Sequence, residues 1–202
     1  GKTYTVVVSG TDNAGNTASA TVSIELPPPT ATATVTFGQL GVGTDFTGTV
    51  LTVDGTGYGV DDLPKDFTWT VGDSYSFAYA SPIGADGTQY VWTSTIGLST
   101  AQSGTVTVPS GGGSVTGYYK TQYYLTVQTD PSSITTISGE GWYDATTPPT
   151  GAKLTAPDAV SVSTGVQYRF DHWDVDGTTA SGNPITVTMD DAHTATAHYV
   201  KQ

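Results

Sequence analysis

Three carboxylates stand close together in "DHWDVDG", Asp171, Asp174 and Asp176, followed at once by Gly177. Acidic residues before a turn glycine are the raw material of a calcium loop, whose ligands repeat at alternate positions and end on a bidentate acid. The register fails. With Gly177 at the sixth position, the first falls on His172 and the twelfth on Asn183, neither of them a carboxylate. A strand ending in an Asp-Gly turn accounts for the same residues, so Asp171, Asp174 and Asp176 are weak metal candidates only. His193 and His198 are an odd number of residues apart, which on a strand puts them on opposite faces and keeps them from sharing a metal. Catalytic signatures are missing as well: there is no G-x-S-x-G, no H-E-x-x-H, no P-loop and no cysteine, and the glutamates are Glu25 and Glu140 alone. No enzyme and no cofactor are expected.

Aromatic residues offer a different chemistry, because exposed tyrosine and tryptophan rings stack on sugars. Phe67 with Trp69, Tyr90 with Trp92 and Tyr168 with Phe170 fall where alternation calls for core. The pairs Tyr118-Tyr119 and Tyr123-Tyr124 must each turn one ring outward. Tyr123 alternates with Leu125 and Val127, which leaves Tyr124 exposed. Tyr119 and Tyr124 are the candidate ligand residues, for a carbohydrate or a protein partner.

These residues sit in a chain that reads as strands throughout. Tyr4, Val6 and Val8 share one face of a first run, and Ala18, Ala20, Val22, Ile24 and Leu26 one face of a second, joined by "GTDNAGN". Period two with a turn between predicts a hairpin over 1–26. "LPPP" opens a linker over 27–33, since proline cannot donate to a ladder. Beyond it the chain repeats at about 80 residues. "GTQYVWTS" at 87–94 matches "GVQYRFDH" at 165–172, "GTVTVPS" at 104–110 matches "PITVTMD" at 184–190, and "VTGYYK" at 115–120 matches "ATAHYVK" at 195–201. The expected fold is all-β: two tandem small sandwich or meander repeats, 34–120 and 121–202, behind the hairpin. With no flexible linker at "GYYKTQYYLTV", the two repeats are expected to dock rigidly.

Composition narrows the partners. Eighteen acidic residues against six basic ones give a formal net charge of −12, which repels nucleic acid and anionic membranes. No apolar run is long enough to span a bilayer. The absence of cysteine excludes a disulfide framework.

The second repeat, with "YYLTVQTDPSS", "SGEGWYDATTPPTGAKLTAP", "GVQYRFDHWDVDG" and "NPITVTMDDAHTATAHY", resembles the divergent internalin-type B-repeat of bacterial and archaeal surface proteins. The first is similar to a partner repeat that accompanies it. The opening G-x-x-Y-x-V-x-V and D-N-A-G-N resemble the last two strands of a bacterial immunoglobulin-like domain whose preceding strands the sequence does not contain, so the hairpin's apolar face is expected to be covered by the first repeat, by an upstream piece of the polypeptide or by a neighbouring subunit. The resemblance implies an extracellular or cell-surface location and a non-catalytic spacer or filament role. The apolar face of the hairpin separately needs a cover, and the expected partners are further copies or neighbouring surface domains, the hairpin joining subunits head to tail by strand addition through Tyr4, Val6, Val8, Ala20, Val22 and Ile24. A carbohydrate-binding or adhesive module, or an accessory repeat of a secreted hydrolase, is the alternative.

Overall fold

The computed structural model describes residues 2–202, which form eighteen strands and a single 3-10 turn, Val60–Asp62; the chain is all-β. Strands β1 (Lys2–Thr11) and β2 (Thr17–Leu26) make the expected hairpin. Its turn is organised by Asp12, whose Oδ1 accepts the backbone N–H of Ala14 at 2.9 Å and of Asn16 at 2.8 Å. The register sets Tyr4 across from Ile24, Val6 from Val22 and Val8 from Ala20. One face is therefore apolar, while Thr3, Thr5, Ser9, Ser19, Thr21 and Ser23 make the other mostly polar. Among the described residues the two strands pair only with each other, and both faces are exposed, Val6 at 46% and Ile24 at 50%.

After Pro27-Pro28-Pro29 the chain pairs again from Thr32, inside the stretch expected as linker, because Thr32 and its successors alternate and can donate. The first core lies between two sheets. One contains β3 (Thr32–Leu40), β6 (Lys65–Thr70), β8 (Ile83–Ala85), β9 (Thr88–Gly97) and the first half of β11 (Gly113–Asp130). The other has the order β10-β7-β4-β5, from β4 (Leu51–Val53), β5 (Thr56–Tyr58), β7 (Ser74–Tyr79) and β10 (Ser103–Thr107). Val35, Phe37 and Val115 from the first sheet meet Leu51, Val53, Phe77, Tyr79 and Val106 from the second, all essentially solvent-free.

The second core is built likewise from the rest of β11, β12 (Gly141–Asp144), β14 (Ala159–Ser163), β15 (Val166–Val175), β16 (Thr178–Ala180) and β18 (His193–Lys201), covered by the pair β13 (Gly151–Leu154) and β17 (Ile185–Thr188). Leu125, Trp173, Ala195 and Ala197 pack against Ala152, Leu154, Ile185 and Val187. The two units share a scheme. β3 runs parallel to the first half of β11 as the second half of β11 runs parallel to β18, and β9 and β15 lie antiparallel to those closing strands.

One strand serves both units. β11 pairs with β3 over 113–118 and β12 over 122–125 on one side, and with β9 over 115–123 and β18 over 125–130 on the other. At 122–125 it is flanked on both sides, so the passage between cores lies inside a continuous ladder. Alternation also runs through unbroken: Val115, Tyr119, Tyr123 and Leu125 face the cores, whereas Tyr118, Lys120, Gln122 and Tyr124 face away.

Candidate functional site

The outward face of β11 where it crosses between the cores collects polar and aromatic side chains from three strands. Antiparallel pairing sets Trp142 of β12 across from Tyr124, with ring centroids 5.1 Å apart and planes at 69°. The Tyr124 hydroxyl donates to Glu140 Oε1 at 3.0 Å, and that bond, ahead of burial, holds its pKa above the ordinary phenol value. Glu140 Oε2 accepts the Val127 N–H at 3.3 Å. Trp142 is 41% exposed, whereas Trp173 is buried and Trp69 and Trp92 pack on the first core.

Beside these rings runs a chain of hydrogen bonds. Gln89 Nε2 donates to Gln122 Oε1 at 2.7 Å, Gln122 Nε2 donates to Asp144 Oδ1 at 2.6 Å, and Lys120 Nζ meets Asp144 Oδ1 at 2.7 Å. Lys120 and then Gln122 hold the Asp144 carboxyl below its usual value. A cleft of about 220 Å³ separates Trp142 from Pro82, Ile83 and the β8–β9 turn. A second, of about 490 Å³, is lined by Glu140, Gln128, Ser132, Ser133 and Thr135.

The residues singled out from sequence fall differently. Tyr124 lies in this site. Tyr119 does not: it is 8% exposed, and its hydroxyl donates to the Ala80 carbonyl at 2.9 Å inside the first core. The alternation that buries Tyr123 runs back through the joint and buries Tyr119 too, leaving Tyr118 outward. Tyr4, Val6, Val8, Ala20, Val22 and Ile24 lie together on the hairpin's apolar face, away from this site.

The three carboxylates Asp171, Asp174 and Asp176 are turned to separate tasks. Asp171 Oδ2 bonds His172 Nδ1 at 2.8 Å, and Asp174 Oδ1 accepts the Gly177 N–H at 2.7 Å. Asp176 sits in the Asp-Gly turn at φ 50°, accepts the Thr194 N–H at 2.8 Å and meets His193 Nδ1 at 2.6 Å. Among the described residues no three acids and histidines converge as a metal centre. Asp190 Oδ1 meets the other ring nitrogen of His193 at 3.0 Å. His172 and His198 are cross-strand partners with rings stacked 4.6 Å apart, His198 bonded to Asp130.

Trp142 escaped the sequence reading. Its signal was there: Glu140, Trp142 and Asp144 share one parity, so the indole falls on the same face as two charged groups while Tyr143 turns inward.

No family model matches the chain, the internalin-type repeat included, and no curated protein matches it. Among solved structures it is similar to Streptococcal High Identity Repeats in Tandem (SHIRT) domains 3-4 from a cell surface protein. That similarity has 15% identity over 86% of this chain and 100% of that one, with a TM-score of 0.25. At that level it carries no argument about what this chain does.

Proposed function

We propose that this chain is a non-catalytic spacer of an extracellular surface structure, joined head to tail through its N-terminal hairpin. The observation that supports the spacer is β11, one strand of 18 residues that closes the first core and opens the second. Bending between the units at 122–125 requires breaking a ladder bonded on both sides. That is the mechanical property of a stalk segment.

The hairpin supplies the connection. Its apolar face leaves in water side chains whose burial is worth roughly 1.5–3 kcal/mol each for the large ones. The prolines at 27–29 set it apart from its own cores, and the cores in turn leave β6, β10 and β5 as sheet edges. A neighbouring copy offers an edge for strand addition and a face for the valines. Such a contact is heterologous and propagates unless its rotation closes a ring. The acidic, Ser- and Thr-rich, cysteine-free composition favours the extracellular setting.

Sedimentation tests the connection. Self-association of the full chain is expected, and deletion of residues 2–29 abolishes it with both cores still folded. A full-length protein that stays monomeric, or a deletion that assembles undiminished, overturns the proposal. Small-angle scattering tests the spacer: one elongated shape is expected, and a broad spread of angles between the units defeats it.

A further inference from the structure

An indole left in water at the junction of two units is costly, and the groups around Trp142 indicate what covers it. Its edge-to-face contact with Tyr124 uses at most one face of the indole and leaves area free over the cleft toward Pro82 and Ile83. Tryptophan pairs an apolar ring with a polar edge and concentrates where a ligand is both. A pyranose has that character: its axial C–H groups form an apolar face, and its hydroxyls ring the edge.

The adjacent polar chain suits the hydroxyls. Gln89, Gln122, Asp144 and Lys120 hold one another in fixed positions. Each glutamine still has one free N–H and spare acceptor capacity, and Lys120 has further donors. A hydroxyl both donates and accepts, so neighbouring amides can serve it in both senses. Because these groups are positioned before binding, little side-chain entropy is lost when a ligand arrives.

Charge selects among sugars. Asp86, Glu140 and Asp144 outnumber Lys120 around the site, within a chain of net charge −12, so uronate and sulfated glycans are repelled. Stereochemistry selects further, since a hexopyranose with equatorial substituents and β-linkages presents the flattest C–H face to an indole. Glu140, which fixes Tyr124, also opens onto the second cleft, with Ser132, Ser133 and Thr135 in its wall. Two clefts joined by an aromatic pair fit a chain of sugars better than one ring.

We propose that this face is a carbohydrate site in which Trp142 stacks on one hexopyranose of a neutral β-linked glycan while Gln89 and Gln122 bond its hydroxyls. Its occupant is independent of the hairpin and of the spacer role. Affinity electrophoresis in hydroxyethylcellulose and tryptophan fluorescence with cellohexaose test it on the full chain, with polygalacturonate as the anionic comparison. Retardation and a fluorescence shift with the neutral glucans are expected. Trp142→Ala should weaken binding about tenfold or more, and Gln122→Ala about threefold to tenfold, with unchanged circular dichroism. Four results overturn the proposal: no binding to either glucan, binding indifferent to both substitutions, stronger binding to polygalacturonate, or a dimer dissolved by Trp142→Ala, which would assign the face to protein contact.

Discussion

Gly87 of the first unit and Ala192 of the second are so close that a Cβ on Gly87 would lie 2.6 Å from the Ala192 Cβ. Gly87 also accepts the Tyr124 N–H at 2.8 Å through its carbonyl oxygen. The β8–β9 turn thus locks against the strand that starts the second core, a second restraint beside β11.

That lock can be isolated. Gly55 occupies the same kind of Asp-Gly turn at φ 78°, against 83° for Gly87, with nothing within 4 Å of its added Cβ. Gly55→Ala carries the backbone strain alone, about 1 kcal/mol. Gly87→Ala is expected to cost clearly more in thermal unfolding and to shift the amide resonances of Tyr124 and Ala192. Equal costs for the two substitutions would show that the contact between units carries no weight.

The two tyrosines proposed as ligands should separate by stability. Tyr119 is buried, with its hydroxyl bonded to Ala80, and burial first, then Tyr79, pushes its pKa above the ordinary phenol value. Tyr119→Ala is expected to cost about 3–5 kcal/mol. Tyr124→Ala, on the outward face, should cost about 1 kcal/mol or less, the range of a partly exposed hydrogen bond. Denaturant titrations of both variants decide it, and comparable losses would contradict the inward and outward assignment.

What the sequence made legible follows the range of the interactions. Alternation and turn residues act locally, so the hairpin, its shared apolar face and the Asp176-Gly177 turn could be read directly. For Tyr118 and Tyr119 the adjacency alone says only that one ring faces outward; the parity that turns Tyr124 out, carried back along β11, sets Tyr119 inward with Tyr123. The parallel pairing of β3 with β11 brings together residues such as Val35 and Gly113, and no local pattern announces it. Trp142 was legible as outward, but Gln89, Gln122 and Asp144 are gathered beside it by three strands.

Asp176 has a second role that its turn does not reveal, and it sets a pH dependence. Partial burial acts to lower the pKa of His193, but hydrogen bonds and charges from Asp176 and Asp190 outweigh it, so the net shift is upward from 6.5. A raised folded pKa means that the contribution of His193⁺ is fully present below the unfolded value and is lost as pH rises through the folded one. Wild-type stability at about pH 6 should therefore exceed that at about pH 8 by more than His193→Gln does. Parallel slopes in the two proteins would remove His193 from the account.

Trp173 combines full burial with an indole N–H that has no hydrogen-bond partner among the described residues. Two effects then oppose each other on truncation. Trp173→Phe gives up apolar volume in the second core but also removes an unpaired buried donor, whose cost is about 1–3 kcal/mol. Its net effect should be small, about 1 kcal/mol, whereas Trp173→Ala opens a cavity and should cost about 3 kcal/mol or more. With Trp142→Phe added to both proteins, the alanine variant also reads the coupling between units, because Trp69 and Trp92 then remain as the reporters, packed on the first core. With β11 common to both cores, their transition is expected to move down together with the far-ultraviolet signal. Two separated transitions, the first core holding its wild-type midpoint, would mean that the shared strand transmits no stability from one unit to the other.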